Sequence, residues 1–209
     1  MAEFDTDNIH VAPNRYFDRH FDREAIKILP GEYFATKSDT LIVTVLGSCV
    51  SACIRDRVTG IAGMNHFLLP NDGSGQDNIL SESARYGAYA MEILINHLIK
   101  LGARRENLEA KVFGGGNVLK GFTAINVGER NAEFVLEYLN LERIPVVAQD
   151  LLDVFPRKVY FFPDSGQVLI RKIKSLHNNT IMDRESAYRM QLRNKPIHNI
   201  QQDVELFDD

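Results

Sequence analysis

The apolar run Leu41-Ile-Val-Thr-Val-Leu46 stops abruptly at Gly47-Ser48, and Cys49 is the next residue. Such a run of aliphatic and β-branched side chains reads as a strand, and Gly-Ser is where it breaks into a tight turn. Val50 to Arg55 reads as a second strand, Asp56-Arg-Val-Thr-Gly60 as a turn, and Ile61 to Leu69 as a returning strand. A hairpin of that length carries position 66 back beside position 49. The Cys49 thiol and the His66 imidazole, seventeen residues apart, therefore meet through one local motif. A turn that ends a strand also points backbone N–H groups at whatever oxygen sits over it. Together these are the minimum equipment for cysteine nucleophilic catalysis.

The rest of the chain supplies a frame for that motif. Alternation begins at Ala25-Ile-Lys-Ile-Leu29, is interrupted by Pro30-Gly31, and resumes in Glu32–Thr36. A polar loop, Pro70 to Asp77, follows the His66 strand and is placed to border a substrate site. A helix is expected from Ser83 to Leu101, with Gly87, Met91, Leu94, Leu98 and Leu101 on one face, Ser81 or Ser83 at its start and Gly102 at its end. A strand at Ala110–Phe113 runs into Gly114-Gly115-Gly116. A second helix, Glu129–Leu141, carries Ala132, Val135, Leu136 and Leu139 on one face. Pro145–Ala148 reads as a strand, and Lys158–Phe162 and Gln167–Arg171 as a final hairpin. Many strands, two main helices and no strict β-α-β alternation give an α+β domain with a mixed or antiparallel sheet. Residues 1–25 are expected as a polar arm, 26–175 as the domain, and 176–209 as a polar, partly helical tail.

Composition removes several function classes. At 209 residues, with 44% hydrophobic and 25% charged side chains, the chain can bury a full core as one domain. A net charge of −4 and a pI near 5.9 do not fit a dedicated nucleic-acid binder. No run approaches the ~18 apolar residues of a membrane span. The acidic N-terminus has neither a basic nor an apolar leader region, so a cytoplasmic protein is expected. Cys49 and Cys53 on one strand would stand about 13 Å apart at ~3.3 Å per residue, beyond the ~7 Å reach of a disulfide. Both are expected as free thiols. Two cysteines and six scattered histidines show no ligand spacing, so no metal is expected.

Several strings, in order, resemble one family. Leu46-Gly-Ser-Cys-Val50, a hairpin, and Gly63-Met-Asn-His-Phe-Leu-Leu-Pro70 are similar to the signature of the CheD-type chemoreceptor glutamine deamidases. Ala84-Arg-Tyr-Gly87, Val112-Phe-Gly-Gly-Gly-Asn117 and Ile125-Asn-Val-Gly128 resemble the same family, across roughly residues 26–175. The resemblance implies Cys49 as nucleophile, His66 as general base and acid, and a threonine before the cysteine, here Thr44, to orient the imidazole. It implies no cofactor. The partner implied is the cytoplasmic region of methyl-accepting chemotaxis receptors, with a chemotaxis phosphatase as a second.

Each residue also has a plainer reading. Cys49 is either this nucleophile or a buried structural thiol. His66 lies in an apolar strand where an unpaired imidazole is costly, so it needs a partner, and Cys49 is the economical one. Pairing with imidazolium would hold the Cys49 thiol below its ordinary pKa. Thr44 is either an orienting residue or a strand threonine bonded to backbone. The five-residue offset from Cys49 puts the two on one sheet face only if the turn interrupts the alternation. N–H groups near Ser48 to Val50 are the expected oxyanion donors. Arg85, Tyr86, Gly115 and Asn117 are candidate substrate contacts, although Arg85 and Tyr86 are equally an anion partner and a core ring. The glycine run lacks both nucleotide-loop patterns and is expected to serve close backbone approach. Two other functions stay open: a different cysteine amidase or peptidase, and a non-catalytic chemotaxis adaptor.

Overall fold

A computed structural model describes residues 14–70, 82–117, 127–174 and 180–194. The strands are β1 (Asn14–Asp18), β2 (Arg23–Lys27), β3 (Tyr33–Thr36), β4 (Leu41–Leu46), β5 (Val50–Asp56), β6 (Ala62–Asn65), β7 (Leu108–Gly114), β8 (Val146–Leu151), β9 (Arg157–Phe162) and β10 (Gln167–Lys172). The helices are α1 (Glu82–Lys100), α2 (Val127–Leu141) and α3 (Thr180–Asn194). Among the described residues, no helix is long and apolar enough to cross a membrane.

The strands divide into two five-stranded mixed sheets, β1-β2-β4-β9-β10 and β3-β6-β5-β7-β8. Side-chain alternation decides what each face meets. On β5, Val50, Ala52 and Ile54 join Met91, Leu94, Leu98 and Val135 of α1 and α2 in one core. Cys53, on the opposite face, joins Met64, Ile42, Leu46 and Phe161 in a second core between the sheets. Leu41 and Val43, on the outer face of β4, pack with Phe162 in a third, smaller cluster. The order is therefore sheet, sheet, helices, an α+β domain as the sequence led us to expect.

Two local expectations differ from the structure. Within the segment read as a polar arm, β1 pairs with β2, and β2 pairs parallel to β4. The alternation of β1 is weak because it is an edge strand whose residues are half-buried at most. Ser83 lies inside α1 rather than capping it, and Ser81 is outside the described residues, as is the polar loop after Pro70. Gly102, at φ +104°, does close the helix: its N–H donates to the Ile99 carbonyl, and the Ala103 N–H to that of Leu98.

Candidate active site

The Gly47-Ser48-Cys49 loop joins strands that belong to different sheets, β4 and β5. That transfer removes the parity difficulty of the five-residue offset. Thr44 shares the inward face of β4 with Ile42 and Leu46, while Cys49 stands at the mouth of the other sheet. The β5–β6 hairpin then returns His66 alongside Cys49. Its last rung is a two-way bridge in which Val50 N–H donates to the Phe67 carbonyl and Phe67 N–H to that of Val50, both at 3.0 Å.

All three carbonyls of the loop are held from behind. Gly116 N–H donates to Gly47 O, Asn131 Nδ2 to Ser48 O and Gly115 N–H to Cys49 O, each at 2.8 Å. Approach this close needs glycine. A Cβ on Gly114, whose φ is +113°, would lie 2.2 Å from the Cys49 carbonyl oxygen. One on Gly115, at φ +66°, would lie 2.6 Å from the Gly128 carbonyl oxygen at the start of α2.

With its carbonyls pinned on one side, the loop turns three N–H groups to the other, a concave array suited to an oxygen bearing negative charge. That array is filled by Glu185 of α3. Its Oε1 accepts from Gly47 N (2.8 Å) and Cys49 N (3.2 Å), and its Oε2 from Ser48 N (3.0 Å) and Ser48 Oγ (2.7 Å). Glu185 is buried, 3% exposed. A ring nitrogen of His66, the Cys49 Sγ and a Glu185 oxygen lie within 4.8 Å of one another. Three such donors could in principle hold a cation. Here each carboxylate oxygen already accepts two hydrogen bonds, so metal ligation would break some of them.

Thr44 touches both a backbone carbonyl and the imidazole. Its Oγ1 lies 2.8 Å from the Ile28 carbonyl oxygen and 2.8 Å from His66 Nδ1. A carbonyl can only accept, so the single hydroxyl proton goes to Ile28, and Oγ1 accepts from Nδ1–H. This places the imidazole proton on Nδ1 and the lone pair on Nε2, which has no hydrogen-bond partner among the described residues. A buried lone pair near a thiol is a base positioned for that thiol's proton.

The electrostatics differ from the expected thiolate–imidazolium pair. Burial, then the Glu185 carboxylate beside it, push the Cys49 thiol well above its ordinary pKa. Burial also pulls His66 down to about 4, against a partly opposing pull from Glu185. With Glu185 in place both groups are neutral near pH 7, so ionisation of the pair needs a change at the site.

The remaining candidates separate clearly. Val50 N–H is committed to Phe67, so Gly47, Ser48 and Cys49 supply the converging donors. Arg85 is exposed on α1. Tyr86 is buried and its hydroxyl meets that of Tyr188 on α3. Gly115 braces the Cys49 carbonyl, and Asn117 is exposed, its N–H donating to the Asp153 carbonyl. Cys53 is a free, buried core thiol. Asn131 and Glu185 were not among the sequence candidates. Asn131 does carry a signal: with Gly128, Ala132 and Val135 it falls on the buried stripe of α2, where a polar side chain needs a specific partner.

Comparison with known proteins points one way. A family model described as "CheD chemotactic sensory transduction" matches residues 68–172, a stretch that begins just past His66. Relatives extend the likeness to nearly the whole chain. The chain is 67% identical over 195 residues to "Probable chemoreceptor glutamine deamidase CheD 1" of Shewanella oneidensis, covering 93% of each. It is 61% identical over 207 residues to the similarly named protein of Herminiimonas arsenicoxydans, covering 99% of this chain and 100% of that one. A Janthinobacterium protein with the same name is 64% identical over 198 residues, 95% of this chain and 96% of the relative.

Proposed function

This chain belongs to the CheD family, and from that premise we propose that it deamidates glutamine side chains of chemoreceptors by a Cys49–His66 thioester route. The observation that carries the reading is the convergence on Cys49 of a threonine-fixed imidazole and three backbone N–H donors. As the glutamine enters, His66 Nε2 takes the Cys49 proton and Sγ attacks Cδ. The carbonyl oxygen gains its charge between the N–H groups of Gly47 and Cys49, where such donors stabilise it most. The tetrahedral centre collapses, the C–N bond breaks, and His66 returns its proton to the leaving ammonia. Water, deprotonated by His66, then attacks the thioester and leaves glutamate and the free thiol. The neutral resting pair makes proton transfer part of the attack rather than a step before it. No step calls for a cofactor.

The substrate class sets the location, the cytoplasmic side where receptor signalling regions lie. A chemotaxis phosphatase that binds this face would compete with receptor for it. The test is ammonia release from free glutamine, a short unstructured glutamine peptide and a receptor cytoplasmic fragment at matched glutamine concentration. Contacts remote from the amide orient it, so the fragment should be turned over fastest and free glutamine barely at all. Equal rates on free glutamine would make the protein a small-molecule amidase.

A further inference from the structure

Glu185 is not a local capping residue. It arrives from a helix more than a hundred positions along the chain and puts a carboxylate where the reaction develops its oxyanion. The loop is shaped for it. Gly47 does not need a positive φ, but a Cβ there would lie 2.8 Å from Oε1 and 3.0 Å from Oε2 and Cδ of Glu185. The missing side chain is therefore room for a carboxylate or an amide.

The helix itself is built around this one insertion. Asp183, Arg184, Ser186 and Ala187 are exposed, whereas Glu185, Tyr188 and Leu192 face inward at helical spacing. The Tyr188 ring fills the space over Gly31, where a Cβ would lie 2.8 Å from it, and its hydroxyl meets that of Tyr86. Leu192 packs at the edge of the helix–sheet core. Holding a carboxylate this deep is strongly unfavourable unless donors are already arranged for it. Here the donors are the loop N–H groups, which the braced carbonyls keep in place.

Glutamate is the product of glutamine deamidation and has the same side-chain length. We propose that α3 occupies the seat of the substrate's glutamine-bearing segment, with Glu185 standing where the product glutamate stands, so that the chain carries its own bound product. This rests on the deamidase reading and deepens it. It assigns the N–H groups of Gly47 and Cys49 to the scissile carbonyl oxygen, and Ser48 Oγ to the amide nitrogen, whose hydrogens that hydroxyl can accept. It also fixes the kind of segment the site takes: one turn of helix with an aromatic residue three positions beyond the glutamine. After conversion, the Ser48 N–H faces an oxygen rather than an amide N–H, so product is held more firmly than substrate. Receptor must displace α3 to be modified.

The experiment is Glu185→Gln in the full-length protein, read by peptide mass spectrometry at position 185. The introduced glutamine should be converted back to glutamate, about 1 Da heavier, with a rate independent of protein concentration, by the same amide-to-acid step. The double variant Cys49→Ala, Glu185→Gln should keep its amide. A side chain at position 185 that stays amidated, in Glu185→Gln protein that deamidates the receptor fragment, overturns the proposal while the deamidase reading stands. Protein that converts neither overturns both. As a second reading, Glu185→Ala removes the internal competitor. If the seat is free a tenth of the time or less, the apparent KM for receptor fragment should fall roughly tenfold or more. A loss of kcat with KM constant would instead make Glu185 part of the reaction and overturn its role as occupant.

Discussion

Thr44→Val tests the relay behind the nucleophile. Thr44 is fully buried, and its hydroxyl links the Ile28 carbonyl to His66 Nδ1 with two contacts of 2.8 Å. Valine keeps the shape but strands a carbonyl and a ring N–H inside the protein. Each unpaired group costs about 1–3 kcal/mol, partly offset by no longer burying the hydroxyl, so a net loss of about 2–3 kcal/mol is expected. Without an acceptor at Nδ1 the imidazole is free to turn or to carry its proton on Nε2, where it cannot accept from Cys49. Turnover should drop roughly 10- to 100-fold, or about 1.4–2.8 kcal/mol of transition-state stabilisation. Because Thr44 touches His66 and not the substrate, the loss should fall on kcat and leave KM nearly alone. Urea unfolding gives the stability, and ammonia release from a receptor fragment gives the kinetics. Thr44→Ser, which keeps the hydroxyl, should recover most of the turnover. Wild-type kcat in folded Thr44→Val protein, or a serine variant as slow as the valine one, would refute the relay.

Cys53 is buried at 2% exposure between the sheets. Cys53→Ala should lose about 1 kcal/mol and retain deamidation, and a folded but inactive variant would mean a second essential thiol. His66 is held at about 4 by burial, below its ordinary 6.5, so the unfolded chain binds the extra proton first. That contribution is complete above pH 6.5 and is lost as pH falls toward 4. Urea midpoints should decline across that window, and His66→Gln should flatten the decline. Gly114→Ala places a Cβ against the Cys49 carbonyl at a φ of +113° and should cost about 3 kcal/mol or more along with most activity. Gly166→Ala, at φ +71° in the distant β9–β10 turn with only the Arg55 side chain 3.0 Å from its Cβ, should lower the melting temperature by less and spare kcat.

What the sequence disclosed follows from how local each signal is. The β4 run, the β5–β6 hairpin and the faces of α1 and α2 are written in short-range alternation, and the structure has them within a few residues. The meeting of Cys49 and His66 was legible because one hairpin makes it. The allocation of β4 and β5 to separate sheets was not, since β4 pairs with β2 and β9, far apart in sequence. Thr44 therefore looked misplaced by an odd offset that a change of sheet makes irrelevant. The depressed thiolate pKa expected from a cysteine–histidine pair failed for a related reason. It left out Glu185, one of two acidic residues on a mostly polar helix whose sequence does not set it apart as buried.

A Cys49 thioester with a receptor glutamine, released as glutamate, leaves a change in mass on the receptor. Mass spectrometry of a receptor cytoplasmic fragment, before and after incubation with wild-type protein or Cys49→Ala, tests it most directly. Defined glutamine-containing peptides should gain about 1 Da with wild-type protein and none should do so with Cys49→Ala. A fragment unchanged by wild-type protein, or changed equally by folded Cys49→Ala, would contradict the thioester route.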